Sequence, residues 1–578
     1  MSTAASSGPP QQPARTAPQQ IVLVGLSGVG KTTVGGALAA RLGWSFLDTD
    51  EIVHKREGRT AAEIIVERGE PEFRRIEELA VMEAAKQVPA VIATGGGAIL
   101  SAGNRRNLGE RGFIVYLDAT PSEIARRLPS EGQPERPLTD ADPERRLREL
   151  DGDRRAYYNH ADLWVPVMGG PEAVETSRDE AVTRILRAWA GDAADLMARP
   201  RRLERLGSAE PARGPAALVD TGEERYPIWV APGELRRLPD RLQQIGLAGR
   251  RVFLITDTNV MEAHGRMVAG VLDGGGIAGA SYVIPAGEAS KTQRTANELY
   301  RWLAAERAER RDVILALGGG VVGDLAGYVA ATYLRGMPFV QLPTSVLAMN
   351  DAAIGGKVAV DLPEGKNLVG AFHQPVAVLS DVSVLSTLPR RMHIEGFAEV
   401  IKHAFILDPG LLDTLEANAS QLASGTADPE LMAHVIGRSS HLKALIVSSD
   451  PHEQGVRAIL NYGHTIGHAI EQSTGYTEYM HGEAVAIGMM GAGRIAVESG
   501  ILDPTVLDRQ ADLLRSFGLP LVAPGINVRA VLEAMLRDKK VVQGQMRFVL
   551  LEGVGRTTVR GDIPEDLVQR TVQQLARG

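Results

Sequence analysis

Apolar and polar positions along the 578-residue chain change their period several times, and each change marks an element. After Gln20 the text IVLVG is a short continuous apolar run. Glycines follow, then KTTVGGALAARLG, whose apolar positions recur at helical spacing. The pattern predicts a buried strand, a glycine turn and a helix. VIATGGG, GFIVYLDA and DLWVPV repeat the apolar run as far as about Trp189, with amphipathic stretches between them. Alternation of this kind predicts an α/β fold with a parallel sheet. A second α/β section opens near Tyr226, where RVFLITDTN and DVILALGGGVVGDLAGYVAATY read as strand-then-helix units. Beyond Leu388 the strand pattern largely stops. Helical periods run to the C-terminus, interrupted by one β-like patch, MRFVLLEGVGRTTV. Residues 1–19, rich in Ala, Pro, Ser and Gln, read as a disordered tail, and 192–225, rich in Arg, Pro and Gly, as a linker. The expected domains are 20–191, 226–388 and a mainly helical 389–578.

Composition narrows the chemistry. There is no cysteine, so disulfides are excluded and any metal must be held by His, Asp or Glu. The net charge of −8 argues against a nucleic-acid surface. No apolar run reaches membrane-spanning length, and the first residues lack the apolar core of a secretory signal. A cytoplasmic protein acting on small molecules is expected, with neither nucleic acid nor membrane as partner.

GLSGVGKT, Gly25 to Thr32, sits between the first strand and helix. Backbone N–H groups of such a loop cradle nucleotide phosphates at a helix N-terminus. ATP would lie on Gly28, Gly30, Lys31, Thr32 and Thr33, with Lys31 at the β/γ-phosphates and Thr32 on Mg2+. LDTDEIV places Asp48 and Asp50 on one face of an extended segment. EFRRIEE supplies Phe73, Arg74 and Glu77, and ATGGGAIL puts Gly95, Gly96 and Gly97 where bare backbone meets a ligand. ERPLTD carries Arg136. As a set, from Ile21 to Trp189, these residues resemble shikimate kinase. The resemblance implies Asp48 at Mg2+, Asp50 at the substrate hydroxyls, and Arg74 with the glycine triplet at the substrate carboxylate. It implies Arg136 at the transferring phosphoryl group. A second carboxylate-binding arginine precedes a tyrosine in an R-x-x-x-Y pattern. Arg154 with Tyr158 fits, and Arg155 is its competitor.

GGGVVGDLAGY, Gly318 to Tyr328, lets a strand end approach a pyrophosphate. Downstream, polar residues crowd into apolar text. Glu399 and Lys402 share a helix face at i, i+3. Arg457, Asn461, His464 and His468 form a near-continuous i, i+4 stripe on a glycine- and alanine-rich helix, which suggests a cavity lining. His464 and His468 would share a face, and His481 follows in HGEAVAIGM. GGGVVGD, GGKVAV, GKNLVGAF, AEVIK, LNYGHTIGHAIE and HGEAVAIGM together, from about Tyr226 onward, resemble 3-dehydroquinate synthase. The resemblance implies a Zn2+ (or Co2+) site of Glu399, His464 and His481, leaving His468 as a hydrogen-bonding group on the substrate side. It implies that Lys357, Lys402, Lys443, Arg457, Asn367 and Asn461 surround the substrate carboxylate, hydroxyls and phosphate. Arg335, reaching across a homodimer, and Lys539 or Lys540 complete the phosphate site. Asp351 would order the cofactor and substrate region. NAD would lie along Gly287, Glu288, Lys291, Gly320, Val321, Val322, Gly323, Asp324, Thr344, Ser345, Lys357, Lys366 and Thr387.

The implied reaction oxidises a ring alcohol, eliminates phosphate, reduces the ketone again and closes the opened ring by an intramolecular aldol, regenerating NAD each turn. The chain is then expected to phosphorylate shikimate and to cyclise 3-deoxy-D-arabino-heptulosonate 7-phosphate. Two competing readings of the second half share its framework: another sugar-phosphate cyclase, and a metal-dependent polyol dehydrogenase. The set Lys443, Arg457, Asn461 and His468 favours dehydroquinate, and the phosphate-binding lysines oppose the dehydrogenase.

Overall fold

The computed structural model describes residues 19–109, 111–127, 143–158, 161–167, 174–191, 215–221, 224–453, 455–537 and 546–577. Arg136, Lys539, Lys540, the tail over 1–18 and most of the expected linker lie outside the described residues. The chain forms two compact units, Met1–Ala212 and Arg213–Gly578.

In the first unit the described residues form β1 (Gln20–Val24), β2 (Ser45–Asp48), β3 (Ala90–Ala93), β4 (Gly112–Asp118) and β5 (Leu163–Pro166). They make one sheet in the order β2-β3-β1-β4-β5, parallel throughout. β1 is central and every one of its residues is buried. A parallel strand covered on both faces has no solvent side, which is why QIVLV shows no alternation. Strand order reverses across β1, so the C-terminal strand ends open a crevice beside it. The loop helix (Lys31–Leu42) starts there.

In the second unit β6 (Ala217–Asp220), β7 (Arg225–Ala231), β8 (Val252–Asp257), β9 (Gly279–Ile284), β10 (Val313–Gly318), β11 (Phe339–Pro343) and β14 (Ala377–Asp381) form one sheet. Its order is β6-β7-β14-β11-β10-β8-β9, and among these strands only β6 runs antiparallel to its neighbour. β12 (Lys357–Leu362) and β13 (Gly365–Phe372) form a separate hairpin. After Asp381 helices dominate, apart from the pair β15 (Phe548–Gly553) and β16 (Arg556–Arg560). The expected α/β class with a mainly helical last part is the observed one. The expected linker over 192–225 is too long at its C-terminal end: Ala217–Asp220 is a strand, paired with Ile228, Pro227, Tyr226 and Arg225. Four residues between proline-, alanine- and glycine-rich text give no readable period, and tertiary pairing supplies the strand.

Two features of the helical part place functional side chains. The core helix (Arg390–Leu407) is buried along its whole length from Glu395 to Leu407, so Glu399 and Lys402 face protein and not bulk water. The histidine helix (His464–Ser473) packs against the facing helix (His481–Glu498). An added Cβ at Gly488 would lie 1.9 Å from the Gly463 carbonyl oxygen, and one at Gly467 2.9 Å from the Ala484 carbonyl oxygen. Backbones this close leave no room for side chains, and the approach carries His464 toward His481.

Candidate active sites

The first unit presents a phosphate loop. Gly25, Gly28 and Gly30 have φ of 144°, 86° and 103°, a region L side chains avoid. Lys31 Nζ donates to the carbonyls of Gly25 at 2.9 Å and Leu26 at 2.8 Å. The ammonium therefore lies over the loop at a helix N-terminus, where both favour an anion. Thr33 is exposed on the same first turn. The Thr32 hydroxyl donates to Asp48 Oδ2 at 2.7 Å, so the two side chains expected at Mg2+ are neighbours. Asp48 and Asp50 do not share an extended segment, which corrects the reading from sequence. Asp48 ends β2, while Asp50 lies in the first turn of the helix Thr49–Glu57 and donates its N–H to Asp48 Oδ1 at 3.0 Å. An aspartate N-cap before an acidic first turn is a helix start signal, and it outweighs strand propensity here.

The glycine triplet draws the remaining groups together. An added Cβ would meet Asp50 Oδ1 at 2.8 Å from Gly95, Arg154 Nη1 at 3.2 Å from Gly96, and Arg74 Nη1 at 2.3 Å from Gly97. Asp50, Arg74 and Arg154 thus line one bare stretch of backbone. Arg74 is held by Glu70 and Glu77, each at 2.8 Å. The competitor Arg155 points elsewhere: its guanidinium pairs with Asp151 at 2.9 Å and Asp118 at 3.4 Å. Tyr158 donates to the Gly96 carbonyl at 2.5 Å. These contacts fix the helix Pro143–Tyr158 so that Arg154 reaches the triplet.

In the second unit, Nε2 of His464 and of His481 lie 3.4 Å and 3.7 Å from Glu399 Oε1. Two donors each 2.0–2.1 Å from a tetrahedral zinc stand about 3.4 Å apart, so the three atoms have a ligand spacing. Glu399 Oε1 is buried and accepts no hydrogen bond, while Oε2 takes the Lys402 ammonium. A buried acceptor left unpaired costs about 1–3 kcal/mol, and a cation among these atoms removes that cost. His464 Nδ1 faces the Tyr462 carbonyl at 3.1 Å and His481 Nδ1 faces Glu471 Oε2 at 3.2 Å. Both rings are thereby turned with Nε2 inward. Burial alone would lower the His481 pKa, yet Glu399 and Glu471 hold it well above the usual imidazole range, a sign that this spot favours positive charge. Two other groupings come within reach, His468–Glu471–His481 and Asp351–Glu399–His403. Glu471 already holds His481 Nδ1, and Lys443 and Lys402 already neutralise Asp351 and Glu399.

The sequence stripe Arg457, Asn461, His464 and His468 is not one helix. Val456–Asn461 is a 3-10 segment, and Gly463 at φ 79° breaks the chain before the histidine helix starts at His464. His464 and His468, both on that helix, keep neighbouring rings, 5.1 Å between centroids. Arg457 donates to the carbonyls of Pro451 at 2.7 Å and Gly355 at 3.4 Å. Asn461 Nδ2 donates to Glu453 Oε1 at 2.8 Å, and the other Glu453 oxygen takes the Lys357 ammonium. Lys443 binds the carboxylate of Asp351 and, at 2.7 Å, its carbonyl. Burial raises the Asp351 pKa, but Lys443 and Lys402 outweigh it and hold the carboxyl well below its usual range.

The nucleotide candidates follow the C-terminal ends of β9, β10, β11 and β14 and lie on the hairpin. Gly319 caps the helix Gly320–Thr332, which carries Val321, buried Val322, Gly323 and Asp324. An added Cβ at Gly319 or Gly320 would meet nothing nearer than 3.7 Å or 3.6 Å. Packing does not require glycine there, whereas a pyrophosphate lying on the turn would. Lys291 Nζ donates to Asp324 Oδ2 and Asn367 Oδ1, each at 2.5 Å. Burial pushes Asp324 up to about 6 against the pull of Lys291. Asn367, expected beside the substrate phosphate, is thus in contact with Lys291, an expected NAD residue. Lys366 stands 3.4 Å from Glu288, next to Gly287 at φ 103°. Thr344 N–H donates to the Gly318 carbonyl at 2.9 Å, and Ser345 Oγ accepts from Ala348 N–H at 3.3 Å. Thr387 Oγ1 and His264 Nε2 are 2.8 Å apart. Arg335 is exposed on a left-handed pair, Leu334 and Arg335 at φ 51° and 64°, and its side chain joins none of these groups among the described residues.

Sequence reasoning missed Glu471 and Glu453. Glu471 follows His464 and His468 at i+7 and i+3, a face-sharing spacing that could have found it. No spacing relates Glu453 to Lys357.

Comparison with known proteins decides the family. A family model for the C-terminal domain of 3-dehydroquinate synthase matches residues 396–541, and one for its N-terminal domain matches 281–395. The 3-dehydroquinate synthase of Symbiobacterium thermophilum is 43% identical over 361 residues, 62% of this chain and 100% of that protein. The chain belongs to the 3-dehydroquinate synthase family. The synthase of Nostoc punctiforme is 44% identical over 358 residues, covering 62% of this chain and 98% of its own. A shikimate kinase family model matches 27–188. One chain thus joins a shikimate kinase to a 3-dehydroquinate synthase, two enzymes of the shikimate pathway. Among solved structures, a 2-epi-5-epi-valiolone synthase from Streptomyces hygroscopicus with NAD+ and Zn2+ bound is 29% identical. It covers 61% of this chain and 96% of its own, with a TM-score of 0.57. A 2-deoxy-scyllo-inosose synthase complexed with carbaglucose-6-phosphate, NAD+ and Co2+ is 25% identical, covering 62% and 99%, with a TM-score of 0.57. No helix among the described residues is long and apolar enough to cross a membrane.

The close backbone approach in the synthase unit gives a direct test. Gly488→Ala is expected to lower that unit's unfolding temperature, because overpacking costs about 1–3 kcal/mol, and to weaken Zn2+ binding. Calorimetry and a zinc titration measure both, and a wild-type value for each would contradict the role assigned to this glycine.

Proposed function

We propose that the synthase unit binds NAD and a divalent metal and converts 3-deoxy-D-arabino-heptulosonate 7-phosphate to 3-dehydroquinate, and that the kinase unit transfers the γ-phosphoryl group of Mg2+-bound ATP to shikimate. The observation that carries the synthase reading is Glu399 Oε1, buried without a partner between two imidazole Nε2 atoms. When bound, NAD supplies a reversible hydride acceptor and the metal a Lewis acid for a substrate hydroxyl. Glu399, His464 and His481 would hold the metal, and Lys291, Lys366 and the Gly319–Gly320 turn would hold NAD. The Lys402, Lys443 and Arg457 cations would draw the carboxylate and phosphate of the substrate into an acidic protein. Lys357 and Asn461 would exchange Glu453 for substrate oxygens. His468, beside the metal cluster, would hydrogen-bond the substrate ring.

In the kinase unit, Lys31 would meet the β/γ-phosphates, Thr32 and Asp48 the magnesium, Asp50 the shikimate hydroxyls, and Arg74 and Arg154 its carboxylate as paired forks. Arg136 and Lys539 or Lys540 are assigned from the family resemblance alone. On the family resemblance alone, the enzyme would act in the cytoplasm as a homodimer through the synthase unit, with the partner's Arg335 at the substrate phosphate.

Phosphate release from 3-deoxy-D-arabino-heptulosonate 7-phosphate with catalytic NAD+ tests the synthase reading. Release should stop on chelation, return with Zn2+, and leave no net NADH. Accumulating NADH would instead assign a dehydrogenase. Turnover confined to a different sugar phosphate would assign the activity of another sugar-phosphate cyclase. Shikimate-dependent ADP formation in the same sample reports the kinase.

A further inference from the structure

Beyond the three metal-site candidates, one carboxylate in the synthase unit is buried against a candidate ligand and has no part in the reaction described above. Glu471 lies on the histidine helix two turns after His464 and one after His468, so all three share a face. It is 7% exposed. Its Oε2 is 3.2 Å from His481 Nδ1, on the side of the ring opposite Glu399. The two candidate histidines are therefore held differently. His464 Nδ1 faces a neutral backbone carbonyl at 3.1 Å, whereas His481 Nδ1 faces a buried carboxylate. A carboxylate behind a metal-bound imidazole fixes its tautomer and ring orientation and raises its basicity.

We propose that Glu471 is a positioning residue that orients His481 and sets the affinity of the synthase unit for its metal. The proposal rests on the reading of Glu399, His464 and His481 as the metal site. Its chemistry distinguishes charge from geometry. Glu471→Gln keeps an oxygen acceptor of the same reach but removes the negative charge, so it leaves the ring in place and lowers its basicity. Glu471→Ala removes both.

The test is Zn2+ affinity of the full-length chain, measured by competition with a chromophoric chelator. Wild type, Glu471→Gln, Glu471→Ala and Glu399→Gln are compared, and far-ultraviolet circular dichroism confirms folding. Loss of the carboxylate is expected to weaken Zn2+ binding about 10- to 100-fold, with the alanine variant at the weaker end and Glu399→Gln weaker still. Loading with Co2+ gives a readout that a purely structural role would not move. The visible bands of bound Co2+ should shift in Glu471→Ala and stay close to wild type in Glu471→Gln. Wild-type Zn2+ affinity and unshifted Co2+ bands in both Glu471 variants, with Glu399→Gln impaired, would overturn the role of Glu471 and leave the metal site standing. Wild-type affinity in Glu399→Gln would overturn the site itself.

Discussion

Replacing Glu399 by Gln is expected to reduce phosphate release by more than about 100-fold, since even partners outside a ligand set cost 10- to 100-fold, while shikimate-dependent ADP formation in the same chain is unchanged. Three physical facts combine. The carboxylate is fully buried on the core helix, so water cannot substitute for it. Its Oε1 has no hydrogen-bond partner and faces His464 and His481 at 3.4 Å and 3.7 Å, so the position is built for a ligand and not for a packing contact. Its charge answers Lys402, one turn away. Glutamine keeps the volume but presents a neutral amide, and a neutral three-donor set attracts a dication less strongly. The kinase candidates all lie in the other compact unit, which makes the two activities separable in one sample. Parallel loss of both would show that the variant acts by unfolding the chain. Unchanged phosphate release would remove Glu399 from the site.

The parts legible in sequence were those fixed by local backbone chemistry. Gly25 to Thr32 could be read because a phosphate loop needs positive φ at set positions, and Gly25, Gly28 and Gly30 have it. β1 from Ile21 and β10 could be read because a strand buried on both faces shows a continuous apolar run. The reading weakened where long-range packing decides. R-x-x-x-Y fits Arg154 with Tyr158, but the adjacent Arg155 leaves the register open. Asp118, on a strand 37 residues away, takes Arg155 and leaves Arg154 to the triplet. Arg457 to His468 looked like one helix because its polar spacing is helical, but Gly463 sits left-handed against Met489, and that contact belongs to another helix. Glu453 meets Lys357 across 96 residues and could not be found from spacing. β6 was lost in the linker because four residues carry no period.

Lys402→Met should destabilise the metal-free synthase unit more than almost any other single change. Lys402 and Glu399 are 1% and 0% exposed in their side chains. Removing one partner of such a pair strands the other charge in a low dielectric, at a cost of about 3–5 kcal/mol. Burial pushes the Glu399 pKa up and Lys402 pulls it below the usual carboxylate range, so without the lysine the carboxyl regains a proton at higher pH. The sign follows from linkage. A carboxyl depressed in the folded state adds stability above its unfolded pKa and loses it as pH falls through the folded value. In Lys402→Met that contribution disappears, and stability should depend less on pH, or in the opposite sense, across the acidic range. Zinc offers the same carboxylate another cation. Thermal unfolding should therefore show a larger Zn2+-induced stabilisation in Lys402→Met than in wild type, even though the variant lacks the ammonium proposed to bind substrate and is expected to turn over slowly. Equal zinc-induced shifts in the two proteins would mean that metal and lysine do not share the charge of Glu399, and that the pair serves the fold independently of the metal.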